Sequence, residues 1–337
     1  MADAITYYGD ISARTAAHTA AGLLKRALAN MITERFGQQK PLPQKSTRQQ
    51  KFRRYLALTR VTAALAEGVT PDAEALTYED VQCVLEQWGK LVKITDVIED
   101  THEDPILEES RDLVGEIMAE SLEIVRIGVI KAGTQVYRAG NVATRVLVAS
   151  VFDRGLLRKS VRLLRANKAK YFTQIVKATP NVATEPVGPA FWAMCHTDLE
   201  ADIRSLTGFV PTEKYSQSEN AIPFEVGKCE SVRFVLSPLF EPWLAQGAAV
   251  GATGLIAANA TNIDVYPIMI VAPDAYGIVP MKGKNAVDIK VINPGKPDKS
   301  DPLGQRGYVG AKTWHTAVIL QDDFMVRIET GATNNPV

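Results

Sequence analysis

The chain has 337 residues, of which 46% are hydrophobic and 23% charged, and its formal net charge is zero. That length and composition fit a folded protein of two or three subdomains. They exclude the whole-chain basic field that announces a nucleic-acid binder, and no apolar run reaches membrane-spanning length. The start, Met1 to Ala4, has neither a basic n-region nor an apolar h-region, so no signal peptide is expected. Cys83, Cys195 and Cys229 are odd in number and far apart, which points to buried free thiols in a reducing compartment.

Residues up to Gln39 are Ala-rich, and a helical tract is expected near Ala20 to Phe36, ended by Pro41-Leu42-Pro43. Lys45 to Tyr55 is basic with interleaved aromatics, and Lys51, Arg53 and Arg54 are its candidate contact residues. Two readings stand: an extended arm lying on an acidic surface such as a neighbouring subunit, or a nucleic-acid contact. Glu67 to Asp72 is a turn cluster. Strands are expected at 76–85 and 90–95, with a break at Trp88-Gly89. The resulting hairpin is too short to fold alone and needs another surface to lean on.

The acidic linker Glu99 to Asp104 leads into the longest predicted helix, 104–133. Asp104 suits the N-cap, Pro105 the first helical position, and Gly133 an αL close. Ile106, Leu113, Ile117 and Ile124 recur at helical spacing, widened by Leu107, Val114, Met118, Leu122 and Val125 into a broad apolar stripe. Ile117 and Ile124 are therefore expected in the core, and Glu116, Glu120 and Glu123 on the wet side. A rod of roughly 42 Å follows from 1.5 Å per residue, and it needs an extended surface to lie on.

Short strands are expected at 134–137 and 145–148. A second helix, 154–170, carries Arg154, Arg158, Lys159, Arg162, Arg165, Lys168 and Lys170, with Leu156, Leu157, Val161, Leu163 and Leu164 as its apolar side. Arg158, Lys159, Arg162 and Arg165 face either DNA or acidic side chains of the same or a neighbouring subunit. The Pro- and Gly-rich 179–189 links subdomains. Strands are expected at 190–195, 232–236, 265–272, 314–320 and 324–328, with a helix start at Thr197 to Glu200. In the last strand Phe324, Val326 and Ile328 share one face, and Met325, Arg327 and Glu329 the other. One dominant helix among antiparallel strands defines an α+β class.

The residues carry little chemistry. Gly247, Gly251 and Gly254 fit no phosphate-loop spacing. The histidines are scattered, and adjacent Cys195 and His196 point opposite ways on a strand. His102 among Glu99, Asp100, Glu103 and Asp104 reads as a helix-capping acid cluster. No enzyme, cofactor or metal site is expected.

An ordered series of segments carries a resemblance: Leu65 to Pro71, Trp88-Gly89, Ile94 to Asp96, Glu103 to Leu107, Asn220 to Val226, Ser231 to Val235, Asp274 to Gly277, and the long string Asp301 to Lys312. It resembles the N4-type major capsid proteins of tailed bacteriophages, a branch of the HK97-type coat fold, from about Arg53 to Ile328. One departure is Pro223-Phe224-Glu225, where the family carries a Gly-Glu pair. The resemblance implies an N-terminal arm at 1–67 and an extended E-loop at 68–100 that lies over an adjacent subunit. It implies a P-domain at 101–185 built on the spine helix, 186–299 as mostly A-domain, and 300–337 as strands returning to the P-domain. It also implies a shell of pentamers and hexamers of this chain around packaged double-stranded DNA. Portal and scaffold or decoration proteins would be further partners, the virion the location, the host bacterial cytoplasm the place of synthesis, and no membrane would be involved. The competing reading is a non-enzymatic nucleic-acid-binding protein that uses the basic arm 45–60 and the basic helix 154–170.

Overall fold

Apolar strands pair into two large sheets, and one long helix crosses both. The computed structural model describes residues 31–334 apart from 44, 46, 63, 65, 66, 69, 71, 102–105, 178–182, 216–220, 252, 253, 260, 282–287, 296 and 298–300. In chain order it opens with β1 (Gln38–Gln39), β2 (Gln49–Tyr55), β3 (Tyr78–Val84), β4 (Glu86–Thr95), α1 (Asp96–Thr101) and α2 (Ile106–Ile130). Then come β5 (Val136–Arg138), α3 (Arg154–Ala166), β6 (Phe172–Lys177), β7 (Ala183–Cys195), α4 (Glu200–Arg204), β8 (Phe209–Pro211), β9 (Glu225–Cys229) and β10 (Val232–Leu236). The chain closes with β11 (Tyr266–Val271), β12 (Tyr276–Pro280), β13 (Asp288–Ile292), β14 (Arg306–Ile319) and β15 (Met325–Thr330).

The five-stranded sheet runs β1-β12-β14-β13, with β4 also paired to β14. The eight-stranded sheet runs β5-β15-β11-β7-β10-β9-β8, with β6 on β7. Residues 190–195 of β7, together with β10 and β11, are buried on both faces, with Arg233 of β10 paired to Glu225. On one face α3 seats Leu156, Leu157, Val161 and Leu164 against Phe191, Phe234 and Ile268. Each such burial is worth about 2 kcal/mol. On the other face Trp192, Met194 and Met269 meet Phe36, Tyr276 and the last turns of α2 at Ile127 and Ile130. The first half of α2 instead packs Val114 and Met118 on Ile94, Val309 and Ala311 of the five-stranded sheet. At 1.5 Å per residue α2 spans roughly 37 Å, enough to bridge the two cores.

Several expectations are corrected by this packing. Strands 76–85 and 90–95 do not form a hairpin with each other. β3 pairs antiparallel with β2, in register Tyr55 with Tyr78 and Gln49 with Val84. β4 pairs with β14. The break lies at fully buried Leu85, not at Trp88-Gly89, which sit inside β4 opposite Thr313 and Lys312. A side chain at Gly89 would lie 3.1 Å from the Ala311 carbonyl oxygen, a tight fit against β14.

On α2 the buried face is Val114, Met118, Leu122, Arg126 and Ile130. Ile117 is 43% and Ile124 47% exposed, and Leu113 is exposed beside them, so these residues are not core. Glu123, expected on the wet side, is fully buried. The reason is geometric: the helix is apolar around much of its circumference, and the sheets cover only one side.

Residues 145–148 form a 3-10 turn at Arg145–Leu147 rather than a strand. The second helix stops at Ala166. Both faces of β15 are buried, including Met325 and Glu329. The Asp104-Pro105 cap and the His102 acid cluster lie outside the described residues, as does the helical tract before residue 31. Of the described part of that tract, residues 31–36, only the short turn Thr33–Arg35 is helical.

Candidate assembly and nucleic-acid interfaces

Helix α3 begins where the Asp153 carboxylate accepts the Leu156 backbone N–H at 2.9 Å. That cap and the buried leucines orient its basic side outward. Arg154 and Arg158 donate through Nε to one oxygen of Glu230, at 2.8 and 2.7 Å. Glu230 sits at the β9–β10 turn with φ 54, which aims its carboxylate at the helix. The hydrogen bond from Arg154, then that from Arg158, holds its carboxyl below the usual carboxylate range. Arg165 donates to the Tyr171 hydroxyl at 2.8 Å. Arg162 is exposed and makes no ion pair among the described residues. Arg158, Arg162 and Arg165 line one groove of about 450 Å³ with Val161, Glu230 and Ser231. Lys159 does not join them; its ammonium donates to Asn141 at 2.9 Å and lies over the Tyr137 ring.

The basic arm is one leg of a ribbon. Arg53 clamps Asp80 of β3 with two bonds of 2.8 and 2.9 Å and lies over Tyr78. Arg54 reaches Glu79 at 2.6 Å. Two of the three candidate arm cations are thus matched within the chain, while Lys51 is exposed. The acidic surface on which the arm lies is its own β3. Such exposed pairs add only ~0–1 kcal/mol each, so they set register more than stability. Only the ribbon base is packed, through Phe52, Cys83 and Leu85 against Leu42 and Val279. Every described residue from 55 to 79 is exposed, including Tyr55, Leu56, Leu58, Val61, Leu76 and Tyr78.

Two buried polar clusters have no sequence signal, because their members are far apart in the chain. In the first, the Glu123 carboxylate accepts the backbone N–H groups of Ile32 and Thr33 at 2.9 and 2.8 Å, and the Thr33 hydroxyl at 2.5 Å. Arg126 reaches the same carboxylate at 3.4 Å and donates to His315 Nε2 at 3.1 Å. Accepting that bond requires an unprotonated nitrogen. Burial and then the Arg126 charge push the His315 imidazole down to about 3. The cluster ties the segment before β1 to the long helix and to β14.

In the second cluster, Glu329 on β15 is buried and meets three arginines. Arg138 Nε donates at 2.8 Å, Arg145 Nη2 at 2.7 Å, and Arg327 Nε lies 3.2 Å away. Burial pushes the Glu329 carboxyl up, but Arg145, Arg327 and Arg138 together hold it below the usual range. Arg145 stacks 3.7 Å over Trp243, and Lys131 and Arg327 lie over the same ring.

The remaining candidates show no reactive geometry. Cys83, Cys195 and Cys229 are free and buried, and burial pushes the Cys195 thiol far up. His196 Nδ1 accepts the Asp198 N–H as a helix cap. Among the described residues no group of three metal-ligating side chains converges, and no helix is long and apolar enough to cross a membrane.

Two sheets bridged by one long helix, with an uncovered two-stranded ribbon, define an HK97-type shell subunit of α+β class. The comparisons agree with that class. The chain belongs to the phage capsid protein family, whose model matches residues 78–322. Over 180 residues it is 24% identical to the major capsid protein of Pseudomonas phage KPP21, a match covering 49% of this chain and 45% of that protein. The match thus spans less than half the length of that relative.

Among solved structures it resembles the capsid of Ralstonia phage GP4, with TM-score 0.70, 11% identity and full coverage of both chains. It also resembles the cyanophage Pam1 capsid asymmetric unit, with TM-score 0.61, 12% identity and 98% coverage of each chain. The capsid of cyanophage P-SCSP1u gives TM-score 0.59 and 14% identity, over 96% of this chain and 92% of that one. At these identities the structural likeness establishes the fold.

Proposed function

We propose that this chain is a major capsid protein that self-assembles into pentamers and hexamers of an icosahedral shell around packaged double-stranded DNA. The observation that carries this reading is the ribbon of β2 and β3. Its tip presents Val61 at 88% exposure beside five other large exposed side chains, which no surface of the described residues covers. A two-stranded ribbon is marginal in water, so its order comes from a neighbour. Family membership and the coat-type fold support the same reading. Portal and scaffold or decoration proteins would complete the particle, and the virion is the place of function.

The domains proposed on these sheets depart from the bounds the resemblance implied, 68–100 for the E-loop and 101–185 for the P-domain: β4 leaves the E-loop, and α3 leaves the P-domain. The E-loop is the β2–β3 ribbon with its 56–77 tip, which absorbs the basic arm. The P-domain is α2 on the five-stranded sheet, to which β14 returns. The A-domain is the eight-stranded sheet with α3, and β15 returns to it. The string at 301–312 supports placement in the N4-type branch. The groove of Arg158, Arg162 and Arg165 faces the packaged DNA, where cations outnumbering Glu230 lower repulsion without reading sequence.

Electron microscopy of the expressed protein tests the main reading. Closed shells support it, whereas a small salt-sensitive complex with DNA favours the nucleic-acid-binding alternative. Arg158→Gln combined with Arg162→Gln tests the groove: shells should form, but filled particles should lose genome sooner at low salt. Loss of assembly, or an exterior groove in a particle map, refutes the DNA-facing assignment.

A further inference from the structure

We propose that the cluster around Glu329 is a binding site for a phosphate group, held on the outer edges of Arg138 and Arg145. The argument begins with charge. Arg138, Arg145 and Arg327 converge on one buried carboxylate, Glu329, and Lys131 lies with Arg145 and Arg327 over the adjoining Trp243 ring. Among the described residues Glu241 also borders them; it is exposed, and its backbone oxygen, at 2.6 Å, takes the Lys131 ammonium. A partly buried group of like charges with this excess is repulsive unless an anion joins it. The crowding is visible on its members. Burial pushes the Lys131 ammonium down; the Glu241 charge opposes this, and Arg145 adds to it. Burial pushes the Arg327 guanidinium down too; Glu329 opposes this, while Arg145 and Arg138 add to it.

The donors are also fixed in place. Arg138 is held through Nε by Glu329 and through Nη1 by the Ala143 carbonyl at 2.7 Å. Arg145 is held by Glu329, by Gln246 at 2.9 Å, and by the Trp243 ring beneath it. Arg327 donates to the Lys131 carbonyl. Arg327 Nε lies 3.2 Å from Glu329, but the Nε atom of Arg145 is buried without a hydrogen-bond partner among the described residues, so Glu329 does not satisfy the whole cluster. Arg138 and Arg145 keep about a quarter of their side chains exposed, at 23% and 24%, and so remain reachable from solvent. Two pre-oriented guanidinium groups keep N–H groups beyond those already bonded, on Arg138 Nη2 and on the second hydrogens of the Arg145 Nη atoms, and with Arg327 behind them they match a tetrahedral oxyanion carrying more than one negative charge. A singly charged halide would leave most of the excess uncompensated.

Unlike the DNA-facing groove on α3, this site needs no assembled shell, so the unassembled full-length chain tests it. Inorganic phosphate is titrated calorimetrically at constant ionic strength, with chloride as the control anion. Saturable binding is expected, weakened at least tenfold by Arg145→Gln and unchanged by Lys90→Gln on the exposed face of β4. If Arg145→Gln fails to fold, Arg138→Gln carries the same expectation. A duplex DNA arm identifies the source of the group. Displacement of phosphate by the duplex means that a phosphodiester occupies the site in the particle, and its retention means the free ion; either outcome supports the proposal. No saturable binding beyond the chloride control, or phosphate affinity that survives both substitutions, overturns it. So does a particle map with a carboxylate of a second copy seated on Arg138 and Arg145.

Discussion

Replacing Glu123 measures how firmly the segment before β1 is tied to the long helix. Its carboxylate is fully buried and accepts three hydrogen bonds from Ile32 and Thr33, with Arg126 at 3.4 Å. Glu123→Ala leaves two buried amides and a hydroxyl without an acceptor and strips the Arg126 guanidinium of its buried counter-charge. Breaking a buried pair by removing one partner costs about 3–5 kcal/mol. Hydrogen bonds to a charged acceptor are worth about 1.5–3 kcal/mol each and do not add. A loss of about 4 kcal/mol is therefore expected for alanine. Glu123→Gln keeps one acceptor oxygen but no charge, so about 2 kcal/mol is expected. Urea unfolding of the unassembled subunit reads both, as midpoint shifts at constant slope. Hydrogen exchange localises the effect: the Ile32 and Thr33 amides should lose protection before those of β11, which is buried along its length. An alanine variant losing less than about 1 kcal/mol, or retaining protection at Ile32 and Thr33, would refute the tether.

Three further predictions follow from the same geometry. His315 is held neutral to about pH 3, against an ordinary value of 6.5. Below 6.5 the unfolded chain takes up a proton that the folded chain refuses, so stability is full above that pH and falls as pH drops toward 3. The slope is about 1.4 kcal/mol per pH unit, and His315→Gln should remove it from the pH profile of unfolding. Ile117→Asp should change monomer stability by less than about 0.5 kcal/mol yet block shell formation, since Ile117 is on the uncovered side of α2. The adjacent Met118→Asp, at a buried position, should cost several kcal/mol and give insoluble protein; equal behaviour of the two would refute the face assignment. Replacing 56–77 with a short Gly-Ser turn should close β2 onto β3 directly, because Tyr55 and Tyr78 are already paired. The product should fold as a monomer and form no shells by light scattering; full-sized particles from it would show that the ribbon tip is dispensable.

The sequence by itself determined what depends on neighbours along the chain. The long helix, the amphipathic basic helix with Leu156, Leu157, Val161 and Leu164 inward, and the buried β11 all follow from local periodicity and composition. The ordered segments, above all 301–312, also carried the family. Tertiary structure decided which of several locally equivalent choices is used. The long helix has apolar residues on two sides, and periodicity cannot say whether a sheet covers Val114 and Met118 or Leu113 and Ile117. Residues 76–95 read as a hairpin because adjacent strands commonly pair, yet β3 finds β2 across the 56–77 tip and β4 joins β14 more than two hundred residues away. Charge shows the same division. Sequence placed cations on β2 and α3, but only folding set Arg53 on Asp80, brought Arg162 into a groove beside Glu230, and gathered three arginines around Glu329. Strand pairing and long-range electrostatics depend on residues that meet only in the folded chain, so local pattern bounds them without selecting among them.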